Sequence, residues 1–498
     1  MSGSYDEVRY PGHAFSQTHP DSLSTLGQLF GMTPAPVSAC RVLELGCGEG
    51  ANLAPMAYQL PGSAFLGIDL ANEPIQRAKK AAATLGLANL EFSCRDVMEI
   101  GEDFGRFDYI ITHGLYSWVP PAVREKILEI SGTLLTEQGI AYISYNACPG
   151  GLFRNVAREI LLYHTRDISD PQERIREARA MLSFLAGWEF AATDYRALMS
   201  MEAKELLSRP APSLYHDTMS RENASIWFHD FARDAARHGL QFLAESDFHR
   251  MQLPDASSPA SERPRLPTQD DDVVVREQYI DILTCRWFRK TLLCRDSITL
   301  NRELRPEQLD GFLVAASLTA ESGAPDLAGG VRVEFRDTLH GSLQTDYSLG
   351  KAALCELADA WPAALPFGEL FDSARRRLSG GSPAGPPEKD DRESLARFLL
   401  RLFSKSMIEL HTYAFRFARR PGARPRLSPV ARVQLAEETS ITNLRHRTIE
   451  IGDERLRNLL LLLDGARDRA TLAAAIGVEE RQIDTVLEQA ARLAILEA

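Results

Sequence analysis

The chain has 498 residues, of which 44% are hydrophobic and 25% are charged, and its net charge is −12. This length predicts two to four domains, and the composition is typical of a soluble globular protein. The acidic balance argues against a broad nucleic-acid-binding surface, because phosphate contacts need clustered Lys and Arg. We therefore expect no nucleic-acid partner.

The seven cysteines are scattered, form no CxxC pair and are odd in number. This usage is typical of a reducing compartment, so we expect a cytoplasmic protein. The first 21 residues are polar and lack the apolar segment of a signal peptide. No apolar run reaches the length of a membrane span, so we expect no membrane insertion. The histidines show no metal-binding spacing, so we expect no metal.

Strand-like and helix-like segments alternate along the first part of the chain. The predicted strands are residues 41–45, 64–69, 90–93, 107–112 and 139–145. Helices fit between them, including one over 120–135 whose apolar residues recur at helical spacing. Such alternation predicts βαβ units and a parallel sheet.

The next part of the chain is mostly helical and then returns to strands. Helices are predicted over residues 152–163, 171–188 and 223–239. A strand over 240–245, a helix over 278–288 and a strand over 289–294 complete one open α/β sheet near residue 297.

Two segments rich in Pro, Gly, Ser or charge, residues 253–272 and 379–387, predict a loop and a linker. The chain is therefore divided into three expected domains. They are an α/β domain over 1–297 with a helical insert at about 152–222, a smaller middle domain over 298–378, and a mostly helical, winged-helix-like C-terminal domain over 391–498.

A glycine-rich turn follows the first predicted strand. Gly46, Gly48 and Gly50 lie between an apolar strand and a helix, where backbone N–H groups can approach a ligand at the helix N-terminus. Asp69 ends the second strand, where a carboxylate can accept hydrogen bonds from ribose hydroxyls. Together they predict a nucleoside cofactor.

The turn alone fits two cofactors, because Ala51 also completes the GxGxxG/A pattern of dinucleotide sites. Three further features favour a different cofactor. Glu44 precedes the first glycine by two residues, Asp96 follows the third strand, and residues 107–111 read Phe-Asp-Tyr-Ile-Ile. With these features the first domain resembles the class I methyltransferases that use S-adenosylmethionine and have a Rossmann-like fold.

This resemblance implies that S-adenosylmethionine is the cofactor, with Asp96 near the adenine. We expect the residues of the turn, their neighbours and one residue of the N-terminal segment to contact it. The expected contacts are Tyr10, Glu44, Gly46, Cys47, Gly48, Gly50, Asn52, Asp69, Leu70, Asp96, Val97 and His113.

The acceptor is expected beyond the fourth and fifth strands, because ligands of open α/β sheets bind at the carboxyl ends of strands. His113, Tyr116 and Asn146 are the catalytic candidates, with His113 as a base or a cofactor contact. Tyr116, Trp118 and Tyr145 are candidates for lining the acceptor pocket. Each has a structural alternative: the histidine could cap a helix, the aromatic rings could pack, and Asn146 could bond the turn backbone.

Several segments narrow the resemblance. They are residues 113–120, 145–150, 277–279, 288–295 and 463–469. They look like the bacterial methyltransferases that carry a methyltransferase regulatory domain, a group that includes the rickettsial-type protein lysine methyltransferases. The resemblance implies a helical dimerisation insert, a homodimer and a protein lysine as acceptor. One departure is Gly151, where we expect Trp.

Three functions are compatible with these patterns. The first is methyl transfer to a protein lysine. The second keeps the cofactor but uses a small-molecule or natural-product acceptor. The third is a non-catalytic cofactor-binding regulatory protein, against which the intact Glu44, Gly46, Gly48, Asp69 and Asp96 argue.

Replacing the acid at the end of the second strand tests the cofactor site. Asp69→Ala removes the proposed acceptor of the ribose hydroxyls, so we expect cofactor binding to weaken by roughly 1–3 kcal/mol. Isothermal titration with S-adenosylmethionine measures this change. An unchanged affinity in a folded Asp69→Ala protein refutes the site.

Overall fold

The structure is a computed structural model that describes residues 8–10, 12–187, 193–252, 267, 272–321, 323–337, 341–380 and 390–498. Most of the loop and the linker predicted at 253–272 and 379–387 lies outside these residues. The main sheet contains β1 (Arg41–Leu45), β2 (Ala64–Asp69), β3 (Leu90–Cys94), β4 (Phe107–Thr112), β5 (Leu135–Ala147), β6 (Ser225–Ile226), β7 (Leu240–Glu245) and β8 (Phe288–Arg295).

The strand order of this sheet is β3-β2-β1-β4-β5-β8-β7, with β6 paired to the end of β5. Strands β1 to β5 are parallel, whereas β8 runs antiparallel to both β5 and β7. The carboxyl ends of β1 to β5 therefore meet the amino end of β8 at one edge. We call it the carboxyl edge. The sheet is the Rossmann-like sheet that the sequence predicted.

The longer helices of the first region follow the chain around this sheet. They are α1 (Pro20–Leu29), α2 (Leu53–Gln59), α3 (Asn72–Leu85), α4 (Pro121–Leu134), α5 (Gly150–His164), α6 (Pro171–Gly187), α7 (Thr193–Ser208), α8 (Phe228–Ala236) and α9 (Val273–Thr284). Helices α5 to α7 lie between β5 and β6 in the chain, where the insert is predicted, and share their own apolar core, which includes Leu161, Leu182 and Leu206. A π-helical turn, Leu214–Thr218, follows the insert.

The first strand and its turn illustrate how the sequence sets the local structure. Val42, Leu43 and Leu45 are fully buried, as expected for a central parallel strand that is covered on both faces. The strand ends in a turn where Gly50 takes a φ of +72°, a conformation that favours glycine. A Cβ on Gly50 would lie 2.3 Å from the ring of Phe92, so a side chain is also sterically excluded.

Two helix predictions are wrong in detail. The helix predicted over 223–239 is a short strand, β6, followed by α8, because Ser225 and Ile226 pair with the end of β5. The helix predicted over 278–288 runs instead from Val273 to Thr284. It ends there because Cys285 takes a φ of 49°, which turns the chain towards β8.

The middle region contains two small sheets. One has β10 (Thr319–Ala320), β11 (Val333–Asp337) and β12 (Gly341–Thr345), and the other has β13 (Leu365–Pro366), β9 (Leu313–Ala315) and β14 (Glu409–His411). Its helices are α10 (Ser348–Ala360), α11 (Phe367–Leu378) and α12 (Asp391–Phe403).

The predicted start of the C-terminal domain at residue 391 is wrong. Strand β14 pairs with β9, and α12 packs against α10. Leu395 and Leu399 of α12 belong to the same buried core as Leu354 and Leu357 of α10. Residues 391–411 therefore complete the middle region, because their apolar face is buried there. The boundaries at 297 and 378 stay predictions.

The last part of the chain is winged-helix-like. Its elements are α13 (Pro429–Glu437), β15 (Ser440–Thr442), β16 (Thr448–Glu450), α14 (Glu454–Leu462), α15 (Arg469–Ile476) and α16 (Glu480–Arg492). Leu435, Leu459 and Leu487 lie in its separate core. Strands β15 and β16 form a hairpin, and we call its connecting residues 443–447 the wing tip.

A buried charge cluster joins β8 to its neighbours. The guanidinium of Arg289 is fully buried and contacts Glu245 at 2.6 Å, Asp281 at 2.8 Å and Glu277 at 3.2 Å. It also lies 3.8 Å from the centre of the Phe228 ring. The three carboxylates come from β7 and α9, so the cluster fixes the antiparallel side of the sheet.

Within the described residues, no helix combines the length and the apolar character that crossing a membrane requires. The same part of the chain contains no group of three or more His, Cys, Asp or Glu residues that could hold a metal ion.

Removing the buried guanidinium should strongly destabilise the fold. Arg289→Ala removes one of two buried guanidinium groups that face the three carboxylates, the other being Arg286, so we expect the free energy of unfolding to fall by about 3–5 kcal/mol. Urea unfolding followed by circular dichroism measures the change. Arg237→Ala removes an exposed arginine at the end of α8 and is the matched control, with an expected change below about 0.5 kcal/mol. Equal effects of the two substitutions would contradict this account.

Candidate functional site

The glycine turn is held by backbone bonds to the neighbouring strand. The N–H groups of Gly46 and Cys47 donate to the carbonyl of Ile68, at 2.8 Å and 3.1 Å. The Asp69 carboxylate accepts the N–H of Gly48 at 2.8 Å and that of Ala71 at 2.9 Å. Burial raises the pKa of Asp69, although these N–H groups oppose the shift. The turn and the acid that the sequence singled out therefore lie in direct contact.

Glu44 lies at the end of β1, beneath this turn. Its Oε1 accepts the side-chain N–H of Asn52 at 2.7 Å. Its Oε2 is buried and has no hydrogen-bond partner among the described residues. Burial raises the pKa of Glu44 to about 8, against the effect of the Asn52 bond. The site therefore contains a buried polar atom that a ligand could satisfy.

The predicted adenine side is formed by residues that follow β2 and β3. Leu70 is half exposed, and Val97 is buried. The Asp96 carboxylate accepts the N–H of Met98 at 2.9 Å and caps the short 3-10 turn Val97–Glu99. Because Asp69 pairs with Cys94 in the sheet, these residues lie along the same carboxyl edge as the glycine turn.

The N-terminal segment lies across this edge. Arg9 binds Glu49 of the glycine turn with two hydrogen bonds of 2.9 Å. The Tyr10 hydroxyl donates to Asp217 at 3.1 Å. The Phe15 ring lies 3.9 Å from the His113 ring, centre to centre. The segment therefore contacts both the cofactor turn and the residues expected to face the acceptor.

A cavity of about 360 Å³ lies between the carboxyl edge and the helical insert. Its floor comes from the ends of β4, β5 and β8, and its roof from α5, α7 and the turn after them. The lining residues used below are Tyr10, His113, Trp118, Asn146, Gly151, Arg154, Glu202, Arg209, Asp217, Asn223, Ser225, Trp287 and Phe288.

His113 lines this cavity but is a weak base. Its Nδ1 lies 3.1 Å from the Tyr142 hydroxyl and 3.0 Å from Ser144 Oγ. Burial lowers the pKa of His113 to about 3, and the charge of Lys290 adds to the shift. A ring that holds a proton so weakly cannot deprotonate an ammonium group at neutral pH. The ring can still contact the ligands, whereas the predicted role as a base is unsupported.

The structure does not bring Tyr116 or Tyr145 to the cavity, so their predicted acceptor contacts are wrong. Both side chains are buried in the core beneath the sheet. The Tyr145 ring stacks on Phe231 at 4.3 Å, and Tyr116 meets the same ring edge-on at 5.4 Å. Successive residues of a strand face opposite sides, so Tyr145 points away from the side to which its neighbour Asn146 points.

Trp118 and Asn146 do line the cavity, where they surround a residue that the sequence analysis missed. The Trp118 indole N–H donates to the Asp217 carbonyl at 2.9 Å. Asn146 Nδ2 donates to Asn223 Oδ1 at 2.8 Å, and Asn223 Nδ2 donates to the same Asp217 carbonyl at 2.8 Å. Burial raises the pKa of Asp217 to about 6, against the bond from Tyr10.

Other lining residues were also missed. Arg154 lies 3.5 Å above the Trp287 ring and 3.7 Å from Glu202. No motif marks these positions, and the one available signal was the aromatic pair Trp287 and Phe288 at the start of a strand. Residue 151 is Gly, although the resemblance led us to expect Trp. A Cβ at this position would lie 2.3 Å from Ser225 Oγ, so a side chain does not fit there.

The residues at the turn fit the predicted cofactor. A Cβ added at Gly48 would meet no atom within 4 Å, so open space lies beside the turn. The Asp69 carboxylate has further lone pairs for ribose hydroxyls. An ammonium group of the methionine part would favour the ionised form of Glu44, whose unpartnered oxygen could then accept a bond from it. The individual contacts stay predictions.

Three family models match the chain. One described as "Methyltransferase domain" matches residues 36–200, and one described as "Predicted methyltransferase regulatory domain" matches residues 210–295. The third, "PKMT, C-terminal winged helix domain", matches residues 423–493. The last match agrees with the winged-helix-like part of the structure.

Two relatives from Rickettsia prowazekii (strain Madrid E) match the chain, one of them over nearly its whole length. The uncharacterized protein RP789 is 31% identical over 480 residues, which are 95% of this chain and 85% of that protein. The uncharacterized protein RP028 is 35% identical over 241 residues, which are 48% of this chain and 96% of that protein.

A solved structure shares the whole architecture. PKMT2 from Rickettsia typhi is 26% identical, has a TM-score of 0.85, and the match covers 98% of this chain and 99% of that one. The same protein in complex with AdoHcy, which is S-adenosylmethionine without its methyl group, is 25% identical over the same shares, with a TM-score of 0.84. The cofactor of this chain is therefore S-adenosylmethionine. The chain belongs to the class I methyltransferases that carry a methyltransferase regulatory domain, and within them it resembles the rickettsial-type protein lysine methyltransferases.

Proposed function

We propose that this enzyme transfers the methyl group of S-adenosylmethionine to the side-chain nitrogen of a protein lysine. The observation that carries the proposal is the carboxylate of Asp217, which lines the cavity beyond the cofactor turn. A lysine arrives as an ammonium ion, and a partly buried carboxylate attracts it more strongly than one in water does.

The protonation of Asp217 suits this role. With a pKa of about 6, the carboxyl group is mostly ionised at neutral pH. The bonds to its backbone carbonyl from Trp118 and Asn223 hold the turn that carries it. The same turn is π-helical, a form often found at functional sites.

Methyl transfer itself demands little acid–base chemistry. The amine lone pair attacks the methyl carbon in line with the departing neutral thioether, so the leaving group needs no proton. The ammonium group, however, must first lose one, since its free pKa is about 10.4. Burial in the cavity favours that loss, and Asp217 can accept the proton. The carbonyl oxygen of Asn146 can then orient the amine, because its Nδ2 is engaged by Asn223.

The relatives support a protein acceptor. The Rickettsia typhi protein that shares the architecture is called PKMT2, and the winged-helix family that matches residues 423–493 also bears the name PKMT. We extend that name to this chain as part of the proposal.

We further propose a cytoplasmic homodimer that forms through the insert. The described cysteines, at 40, 47, 94, 148, 285, 294 and 355, are all unpaired, as expected in a reducing compartment.

The homodimer is proposed from an exposed apolar face of α5. This face contains Leu152, Phe153 and Val156, which are 49%, 48% and 42% exposed, an unusual set for one helix face of a monomer. Light scattering should give a mass twice that of one chain. Phe153→Glu places a charge on the proposed interface, so the measured mass should fall to that of a single chain.

Labelling tests the acceptor class. The purified enzyme is incubated with S-adenosylmethionine labelled in its methyl group and with a bacterial lysate separated into proteins and small molecules. We expect label in protein, released by acid hydrolysis as N-methyllysine. The Asp69→Ala protein is the control for enzyme-dependent label. Label confined to the small-molecule fraction would overturn the protein acceptor and favour a small-molecule methyltransferase.

Replacing the cavity carboxylate should impair acceptor use alone. Asp217→Asn keeps the shape and removes the charge, so we expect kcat/KM for the methylated protein to fall about 10- to 100-fold, the loss of a charged hydrogen bond. The affinity for S-adenosylmethionine should not change. Asp230→Asn, at an exposed acid on α8, is the matched control and should retain full activity.

The pH profile provides a second test of Asp217. Its pKa is raised to about 6, so the charge that attracts the ammonium group is present above this pH and is lost below it. The wild-type kcat/KM should therefore fall as the pH decreases through 6. Asp217→Asn should lack this inflection near pH 6, because its kcat/KM then follows the fraction of neutral amine, which falls steadily below the amine pKa of about 10.4. An identical acid limb in both proteins would exclude Asp217 as its origin.

A further inference from the structure

Asn52, the second residue after the last glycine of the cofactor turn, connects four separate segments. Its Nδ2 donates to Glu44 Oε1 at 2.7 Å and to Thr18 Oγ1 at 3.0 Å. Its Oδ1 accepts the backbone N–H of Phe15 at 3.0 Å and lies 2.9 Å from His446 Nε2. The side chain is 4% exposed, so these partners replace water.

The backbone bond defines the proton positions in this network. Because the N–H of Phe15 can only donate, the Asn52 atom that faces it must be the carbonyl oxygen. The His446 nitrogen that faces the same oxygen must therefore carry a proton. The ring is neutral, because burial holds its pKa well below the usual value, and Nδ1 is then the unprotonated nitrogen. His446 thus donates to Asn52.

His446 belongs to the wing tip, whose shape is tightly defined. The Asn443 side chain accepts the N–H groups of Arg445 at 3.0 Å and Arg447 at 2.8 Å. His446 itself takes a φ of 58°, and its side chain is buried against Asn52 and His19, outside the hairpin. The ring contact with His19 is 5.2 Å, centre to centre.

The wing tip is anchored to the middle region as well. Arg445 and Arg447 bind the two oxygens of Glu409, on β14, at 2.5 Å and 2.6 Å. The Arg445 guanidinium also lies 4.3 Å from the centre of the Trp361 ring. The position of His446 relative to the cofactor turn is therefore set by two regions that contain none of the predicted cofactor contacts.

A second connection reaches the turn from the same side. Arg9, which binds Glu49 of the glycine turn, also binds Glu438 at the end of α13 at 2.7 Å. The C-terminal part of the chain thus contacts both sides of the turn, at Glu49 through Arg9 and at Asn52 through His446.

We propose that His446 is a positioning residue for the cofactor: through its bond to Asn52, the wing tip holds the glycine turn and Glu44 in the conformation that binds S-adenosylmethionine. The winged-helix region thereby sets the affinity for the methyl donor. Displacement of the wing tip, for instance by a protein docking on that region, lowers this affinity. This role does not depend on the identity of the acceptor.

Substitutions at residue 446 test the bond. His446→Leu removes the donor and leaves Asn52 Oδ1 with one buried partner fewer, so we expect the Kd for S-adenosylhomocysteine to rise about tenfold. His446→Gln restores an N–H donor on an unbranched side chain, with equal strain at this φ, and should return the Kd to near the wild-type value. Isothermal titration of the full chain measures both.

The matched control is Tyr58→Phe. It removes the hydrogen bond from Tyr58, on α2, to Glu497. This bond joins the first region to the C-terminal part of the chain at a place away from Asn52. We expect an unchanged Kd. If Tyr58→Phe weakens binding equally, any loosening of the contact between the C-terminal part and the first region lowers the affinity. That result would overturn the specific role of the His446 bond.

A double-mutant cycle tests whether His446 affects the cofactor affinity through Asn52. If His446 acts through Asn52, His446→Leu should cause no further rise in Kd when it is added to Asn52→Ala. A full tenfold effect in that background, an unchanged Kd in the single variant, or failure of His446→Gln to rescue it would each refute the role. If His446→Leu does not fold, His446→Asn, whose shorter amide cannot reach Asn52, replaces it.

Discussion

The side chain of Arg289 carries a full positive charge without access to solvent, and such burial costs several kcal/mol unless anions compensate it. Glu245, Glu277 and Asp281 provide that compensation from β7 and α9. They can meet the guanidinium only if β8 lies between β5 and β7 with α9 across it. The charge pairing therefore selects the antiparallel side of the sheet, and it places Phe288 at the carboxyl edge, where the cavity begins.

This edge unites two halves of a site that differ in construction. The centre of the predicted cofactor half is local: it consists of β1, its glycine turn and the end of β2, and the Gly48 N–H bonds to the Asp69 carboxylate across the parallel pair. The proposed acceptor half is a cavity lined by distant segments, which contribute Tyr10, Asn146, Asp217 and Phe288. The first half can hold one nucleoside cofactor, whereas the second can vary through its loops and helices without disturbing the sheet.

The same difference explains what the sequence could predict. The glycine turn, Asp69 and the ranges of the first four strands follow from local patterns of burial and chain reversal, and the structure contains them. The prediction that Tyr145 lines the acceptor pocket failed, because side chains alternate between the two faces of the sheet along β5. Which of the neighbours Tyr145 and Asn146 faces the cavity depends on the register of that strand, and the register is set by tertiary pairing. No sequence motif marks Asp217, because its position depends on a π-helical turn and on a bond from Tyr10, which is 207 residues away.

The bond between His446 and Asn52 joins residues separated by 394 positions. Asp21, at the start of α1, likewise bonds to residues 411–413, so the beginning of the chain is packed against its last quarter. A ribosome that adds 5–20 residues per second needs about 20–80 s to bridge such a gap. During synthesis the glycine turn thus emerges long before its support, and the complete methyl-donor site can form only after translation has passed residue 446.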